Sequence, residues 1–176
     1  NQLQVVAGLY SLESGERLAV RDSEGRELGV SVGLGQVSVP APAEGSIANP
    51  VDIDYGRQVT LAGYDLDRTT LRPGETLRLT LFWQPRRPVD PGYTAFAHIL
   101  GADGSLWAGQ AEPAGTWPAG QVTEASYDLT LRSDAPPGEY YVDAGLYQAG
   151  SGQRLGVLDR WGHVLDHRAL LTRIRV

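Results

Sequence analysis

The chain carries one stretch twice. Residues 5–39 (VVAGLYSLESGERLAVRDSEGRELGVSVGLGQVSV) and 142–176 (VDAGLYQAGSGQRLGVLDRWGHVLDHRALLTRIRV) align without a gap at an offset of 137, and 15 of the 35 aligned pairs are identical. The shared residues include the run Ala7 to Tyr10 with Ala144 to Tyr147, then Gly15, Arg17, Leu18, Val20, Asp22, Gly25 and Leu28 with their partners 137 residues on. Turn-forming Gly and Asp separated by strand-forming residues describe a scaffold unit that is used more than once. The second copy closes a stretch long enough for a full domain, whereas few residues stand before the first. The chain is therefore expected to begin inside one module of an array and to carry the next module whole. The expected division is a partial module at 1–39 repeating 138–176, a linker at 40–50, and a complete module at 51–176.

Composition limits what such modules do. A 41% apolar and 20% charged chain can bury a real core. Its 22 Gly and 11 Pro are scattered, which fits many turns rather than low complexity. The absence of Cys excludes disulfides, thiol catalysis and Cys-ligated zinc. The net charge is −6, all fifteen basic residues are arginines, and they form no stripe, which argues against a nucleic-acid partner. No run approaches the ~18 apolar residues of a membrane span, so this segment is not expected to insert into a bilayer.

Alternation decides the fold class. Leu77, Leu79, Leu81 and Trp83 share one face of a strand, with Arg78, Thr80, Phe82 and Gln84 on the other. Residues 93–100 (YTAFAHIL) read as a strand buried on both faces, and 105–110 return after the turn at 101–104. Tyr127, Leu129 and Leu131 alternate again. Pro136-Pro137-Gly138 breaks the chain before a long strand over 139–147, and short strands follow near 154–158 and 169–176. No window longer than about ten residues keeps a helical period. Seven or so short strands at 8–12-residue spacing predict an all-β, antiparallel, immunoglobulin-like two-sheet β-sandwich, with an extra partial repeat of its C-terminal strands at the N-terminus. The predicted core is Leu77, Leu79, Leu81, Trp83, Phe96, Ile99, Leu129, Leu131, Val142, Ala144 and Leu146. Gly145, in mid-strand, is expected to accommodate Trp83 or a neighbouring backbone.

In this order, the segments 61–64 (LAGY), 71–77 (LRPGETL), 79–84 (LTLFWQ), 93–100, 117–120 (WPAG), 136–140 (PPGEY), 145–147 (GLY) and 152–155 (GQRL) resemble a recurrent bacterial module. That module forms the C-terminal, extracytoplasmic end of multi-pass membrane proteins of the polyprenyl-phosphate-sugar glycosyltransferase (protein mannosyltransferase-like) type. The resemblance covers about 110 residues. It implies a β-sandwich on the extracytoplasmic side of a bacterial membrane, as part of a larger protein. The loop between Gln110 and Trp117 is shorter than in that pattern.

Candidate chemistry is sparse. The run 163–167 (HVLDH) with Asp159 offers metal-ligand residue types, but a His-x-x-x-His pair converges readily only on a helix, and this one falls in a turn and the start of a strand. The aligned residues of the first copy are Arg26, Gly29 and Val30, so the repeat does not carry the pair. No metal, cofactor or catalytic residue is assigned. His98, inside an apolar strand, reads first as a buried histidine bonded to a carboxylate or backbone group, and second as a ligand contact on an open sheet face with Gln84 and Gln110. Trp107, Trp117 and Trp161 occur in or beside loops. Loop indoles either close the ends of a sandwich or offer flat faces to sugar rings.

These readings favour a non-catalytic accessory module of a larger, membrane-anchored cell-envelope protein that contacts a glycan or protein, with ligand-binding candidates Trp107, Trp117, Trp161, Gln84, His98 and Gln110. The competing readings are a catalytic glycan-processing or glycan-transfer domain using Asp65, Asp67, Glu124 and Asp128, and a purely structural spacer. A monomer is favoured over a strand-exchanged dimer.

Overall fold

A computed structural model of the protein describes residues 2–11, 14–38 and 46–176, and the chain divides into two units, Asn1–Ser46 and Ile47–Val176. Among the described residues every regular element is a strand. The smaller unit contains β1 (Gln2–Ala7), β2 (Val20–Arg21), β3 (Glu27–Gly29) and β4 (Val32–Ser38), with β1 paired to β4 and β2 to β3.

The larger unit contains β5 (Asn49–Tyr55), β6 (Val59–Leu66), β7 (Thr76–Pro85), β8 (Tyr93–Gly101), β9 (Leu106–Pro113), β10 (Thr123–Thr130), β11 (Glu139–Gln148), β12 (Val157–Leu158), β13 (Val164–Asp166) and β14 (Ala169–Arg175). They form a six-stranded sheet in the order β10-β7-β6-β5-β12-β13 and a four-stranded sheet in the order β14-β11-β8-β9. Neighbours in both sheets are antiparallel. The linker was expected to reach residue 50, but Asn49 and Pro50 already belong to β5, because they pair with Tyr64 and Gly63. Residues 40–45 of that linker lie outside the described residues.

The period-2 pattern places the core between the two sheets. Leu77, Leu79, Leu81, Trp83, Tyr127 and Leu129 face Ala97, Ile99, Val142, Ala144 and Leu146, all fully buried. Each buried leucine contributes roughly 1.5–3 kcal/mol of transfer free energy. Trp83 anchors the centre, with Tyr55 edge-on at 5.4 Å and Trp117 stacked at 5.7 Å. Two hydroxyls cross between sheets: Tyr55 donates to the Ala144 carbonyl at 2.8 Å and Tyr64 to that of Leu171 at 3.0 Å. At the start of β11 the Tyr140 hydroxyl donates back to the Pro136 carbonyl at 2.7 Å, fixing the corner that leads into the strand. Phe96 is buried too, but it is absent from this inter-sheet cluster.

The repeat is visible in hydrogen-bond register. Gln2 pairs with Ser38 through Ala7 with Val32, and Glu139 pairs with Arg175 through Ala144 with Ala169, every partner shifted by the same 137 positions. Both pairs slip at the same place, between Val5 and Val6 and between Val142 and Asp143. The β2–β3 and β12–β13 pairings correspond in the same way, as do the bridges Tyr10–Arg17 and Tyr147–Arg154. A Cβ on Gly8 would stand 2.7 Å from the Val30 carbonyl, and one on Gly145 would stand 3.4 Å from the equivalent carbonyl of His167.

Candidate functional site

The outer surface of the four-stranded sheet holds a part-buried polar cluster built on Asp143. Strands β8 and β11 pair so that His98 lies opposite Asp143 and Phe96 opposite Gly145. The Phe96 ring fills the space above Gly145, where a Cβ would meet it at 2.5 Å. That is why glycine stands there; the close approach comes from Phe96 on the outer face, not from Trp83 in the core. His98 stacks on the same ring at 4.6 Å, and the Arg154 guanidinium sits 4.6 Å from its centroid. These neighbours cover an aromatic ring that alternation alone would leave to solvent.

Beside this stack Asp143 is only 1% exposed. His98 Nδ1 lies 3.0 Å from one of its carboxylate oxygens, and Arg168 Nη1 donates to the other at 3.2 Å. With a carboxylate as acceptor, Nδ1 carries the proton. A buried carboxylate is tolerated only when its oxygens are satisfied in this way. Next to it lies a shallow cavity of about 250 Å³, lined by Leu100, Tyr141, Asp143, Asp166, Arg168 and Leu170 among others. Its lining mixes carboxylates, a guanidinium, a phenol and aliphatic side chains.

The six residues expected to bind a ligand do not form one site. His98 is in the cluster just described. Gln84 is exposed on β7, opposite Thr60, in the other sheet. Gln110 lies opposite the inward-facing Ala97, hence on the face away from His98. Its side-chain carbonyl accepts from the Asp128 N–H at 2.7 Å, tying β9 to β10. His98 follows its first reading, a part-buried histidine bonded to a carboxylate, and the alternative open face with Gln84 and Gln110 is not formed, because the three belong to different sheets or opposite faces.

The tryptophans diverge as well. Of the two readings open for a loop indole, Trp117 takes the first: it is buried against Trp83 and plugs the end of the core. Trp107 is half-buried, edge-on to Tyr140, under the Arg132 guanidinium, and its indole N–H donates to Ser105 Oγ at 2.7 Å. Trp161 alone of the three projects, 65% exposed, with Arg160 stacked on it at 3.9 Å and Arg57 Nη2 donating to its carbonyl. Asp159 in the same turn accepts from the N–H groups of Trp161 and His163 and from His163 Nδ1. Asp22 does the same for Glu24 and Arg26 in the first copy, so this aspartate is a turn cap shared by the repeat. Among the described residues no group of three or more His, Cys, Asp or Glu side chains is placed to hold a metal ion.

The sequence reading missed Asp143, Arg154 and Arg168. The signal was present for Asp143: a lone carboxylate in the apolar run 142–146, in a strand that could pair with the one holding His98. Comparison with known proteins returned no matching family model and no matching curated protein.

Proposed function

We propose that the larger unit is a non-catalytic, immunoglobulin-like accessory module of a cell-envelope protein, and that it contacts a glycan or protein partner through the tip of the β12–β13 hairpin. The observation that carries this reading is Trp161, a large aromatic held out at a capped turn, with exposed Val164 and Leu165 on the adjoining strand. Singly exposed apolar residues are ordinary, but a grouped set on a capped hairpin marks a contact surface. The sheet order and the Tyr140 corner support the immunoglobulin-like description. The extracytoplasmic setting, and a parent of the polyprenyl-phosphate-sugar glycosyltransferase type, rest on the resemblance of the sequence segments.

The catalytic alternative has less behind it. Glu124 and Asp128 are four residues apart on β10, about 13 Å at the rise of a strand, beyond the roughly 5–9.5 Å of paired glycosidase carboxylates. Asp65 accepts from the Ala48 N–H, Asp67 from the Arg78 N–H and Arg68, and Asp128 from Arg78. Titrating envelope polysaccharides against tryptophan fluorescence tests the proposal. A saturable change that disappears in Trp161→Ala supports glycan contact at the hairpin. A change that persists in Trp161→Ala overturns the hairpin as the contact, and no change together with no protein crosslinked by a photoreactive group placed at residue 161 in the cell envelope leaves the spacer reading.

A further inference from the structure

The two copies share their register but not their burial. Val142 and Leu146 are 0% exposed, while their equivalents Val5 and Leu9 are 41% and 72% exposed. Ala169 is buried where Val32 is exposed, and Leu34, the counterpart of half-buried Leu171, is 65% exposed. In the larger unit β11 pairs on one edge with β14 and on the other with β8, over nine residues. In the smaller unit β1 pairs with β4 alone among the described strands. Strands β1–β4 thus reproduce the mutual pairings of β11–β14, without the pairings to β8 and β5 found in the larger unit.

We propose that residues 2–38 are the C-terminal half of a second sandwich, and that their bare face takes one kind of occupant, a polypeptide half-module of the β5–β10 type. The larger unit shows what such an occupant does to these strands. A β8-like strand with small inward residues, as at Ala95 and Ala97, closes the free edge of β1. A β5–β7 sheet then covers Val5, Leu9, Val32 and Leu34 and brings a phenol to the Ala7 carbonyl, as Tyr55 does for Ala144. Among the described strands the β5–β10 set already covers β11–β14, so the occupant is a further segment of that type, in the same or another polypeptide. Val6 and Ser31 stand where the larger unit has Asp143 and Arg168, so the occupant needs no histidine opposite β1. An exposed strand edge beside an apolar face is also a strong aggregation hazard, which sets a physical demand for such a cover.

The test adds the occupant to the whole chain. Residues 47–137 are placed directly ahead of Asn1, which keeps the 137-residue register because Asn1 aligns with Gly138. Hydrogen exchange of β1 and β4 is compared with that of the unextended protein, and thermal unfolding is followed in parallel. The expected result is exchange slowed at least about tenfold across β1 and an added cooperative transition, both lost when Leu9→Asp is introduced. Unchanged exchange in β1, a protease-sensitive extension, or protection that survives Leu9→Asp overturns the proposal. So does a stable dimer of the unextended chain that Leu9→Asp dissolves, since a second copy would then be the occupant.

Discussion

The Tyr55 hydroxyl donates to the backbone carbonyl of Ala144 at 2.8 Å, from one sheet of the sandwich to the other. A second buried phenol, Tyr127, has no such partner; its oxygen and the Trp83 indole N–H are neighbours that fall short of a hydrogen bond. Burial raises both phenols well above the ordinary tyrosine value, so both remain neutral donors. Removing the two hydroxyls should therefore act with opposite signs. Tyr55→Phe is expected to cost about 1 kcal/mol, the net worth of one bond, and Tyr127→Phe to be neutral or to stabilise by up to about 1 kcal/mol. Urea midpoints of the two variants decide it; equal losses would show that the Tyr127 hydroxyl has a partner in solution.

Asp143 sets up a second asymmetry. The carboxylate is buried, whereas Arg168 is 40% exposed in its side chain. Taking away a partner strands the buried charge; taking away the charge lets its partners turn to water. His98→Ala is expected to cost about 3 kcal/mol. Asp143→Val, the residue found at the equivalent Val6, is expected to cost about 1 kcal/mol or less. Chemical denaturation of both variants is the check, and a larger loss in Asp143→Val than in His98→Ala would contradict the assignment of burial as the dominant effect.

How much of this was legible in the sequence depends on the range of the interaction. Alternation at Leu77 to Trp83 and the turn residues around Pro136 identified strands and core, because side-chain period and turn chemistry are local. The repeat could be read because identical spacing at Gly15, Asp22 and Gly25 demands the same hairpins. Which sheet each strand joins is not local, so the sequence leaves open a face shared by Gln84, His98 and Gln110, which the placement of β7 and β8 in different sheets closes. Exposure of a loop tryptophan is equally non-local: Trp117 turns inward because Trp83 gives it a buried aromatic partner, whereas Trp161 stacks only with its neighbour Arg160. Asp143 stayed hidden because its two partners are 45 and 25 residues away.

The equivalent leucines Leu9 and Leu146 allow one substitution to be compared in two environments. Leu146→Ala removes a fully buried side chain and should destabilise the larger unit by roughly 2–5 kcal/mol. Leu9→Ala acts on a residue 72% exposed and should change stability by less than about 0.5 kcal/mol. Melting curves of the two variants provide the comparison. A large loss from Leu9→Ala would mean that the face of β1 is already covered in solution.

The turn caps Asp22 and Asp159 carry the acid dependence shared by both units. Backbone N–H donation from Arg26 holds Asp22 below the ordinary aspartate value of 3.8. At Asp159 burial pushes the other way, but the N–H groups and ring of His163 together with the Trp161 N–H outweigh it, and this carboxyl is also held below 3.8. A carboxyl whose folded value is depressed contributes stability that is complete above its unfolded value and is lost as pH falls through the folded one. Each hairpin should therefore keep its full cap above about pH 4 and loosen only in stronger acid. Following the amide signals of Glu24, Arg26, Trp161 and His163 by NMR between pH 5 and pH 2 should give two transitions below 3.8. If the paired amides titrate at or above that value, the carboxylates are not accepting these bonds in solution, and the turn geometry common to the two copies does not depend on them.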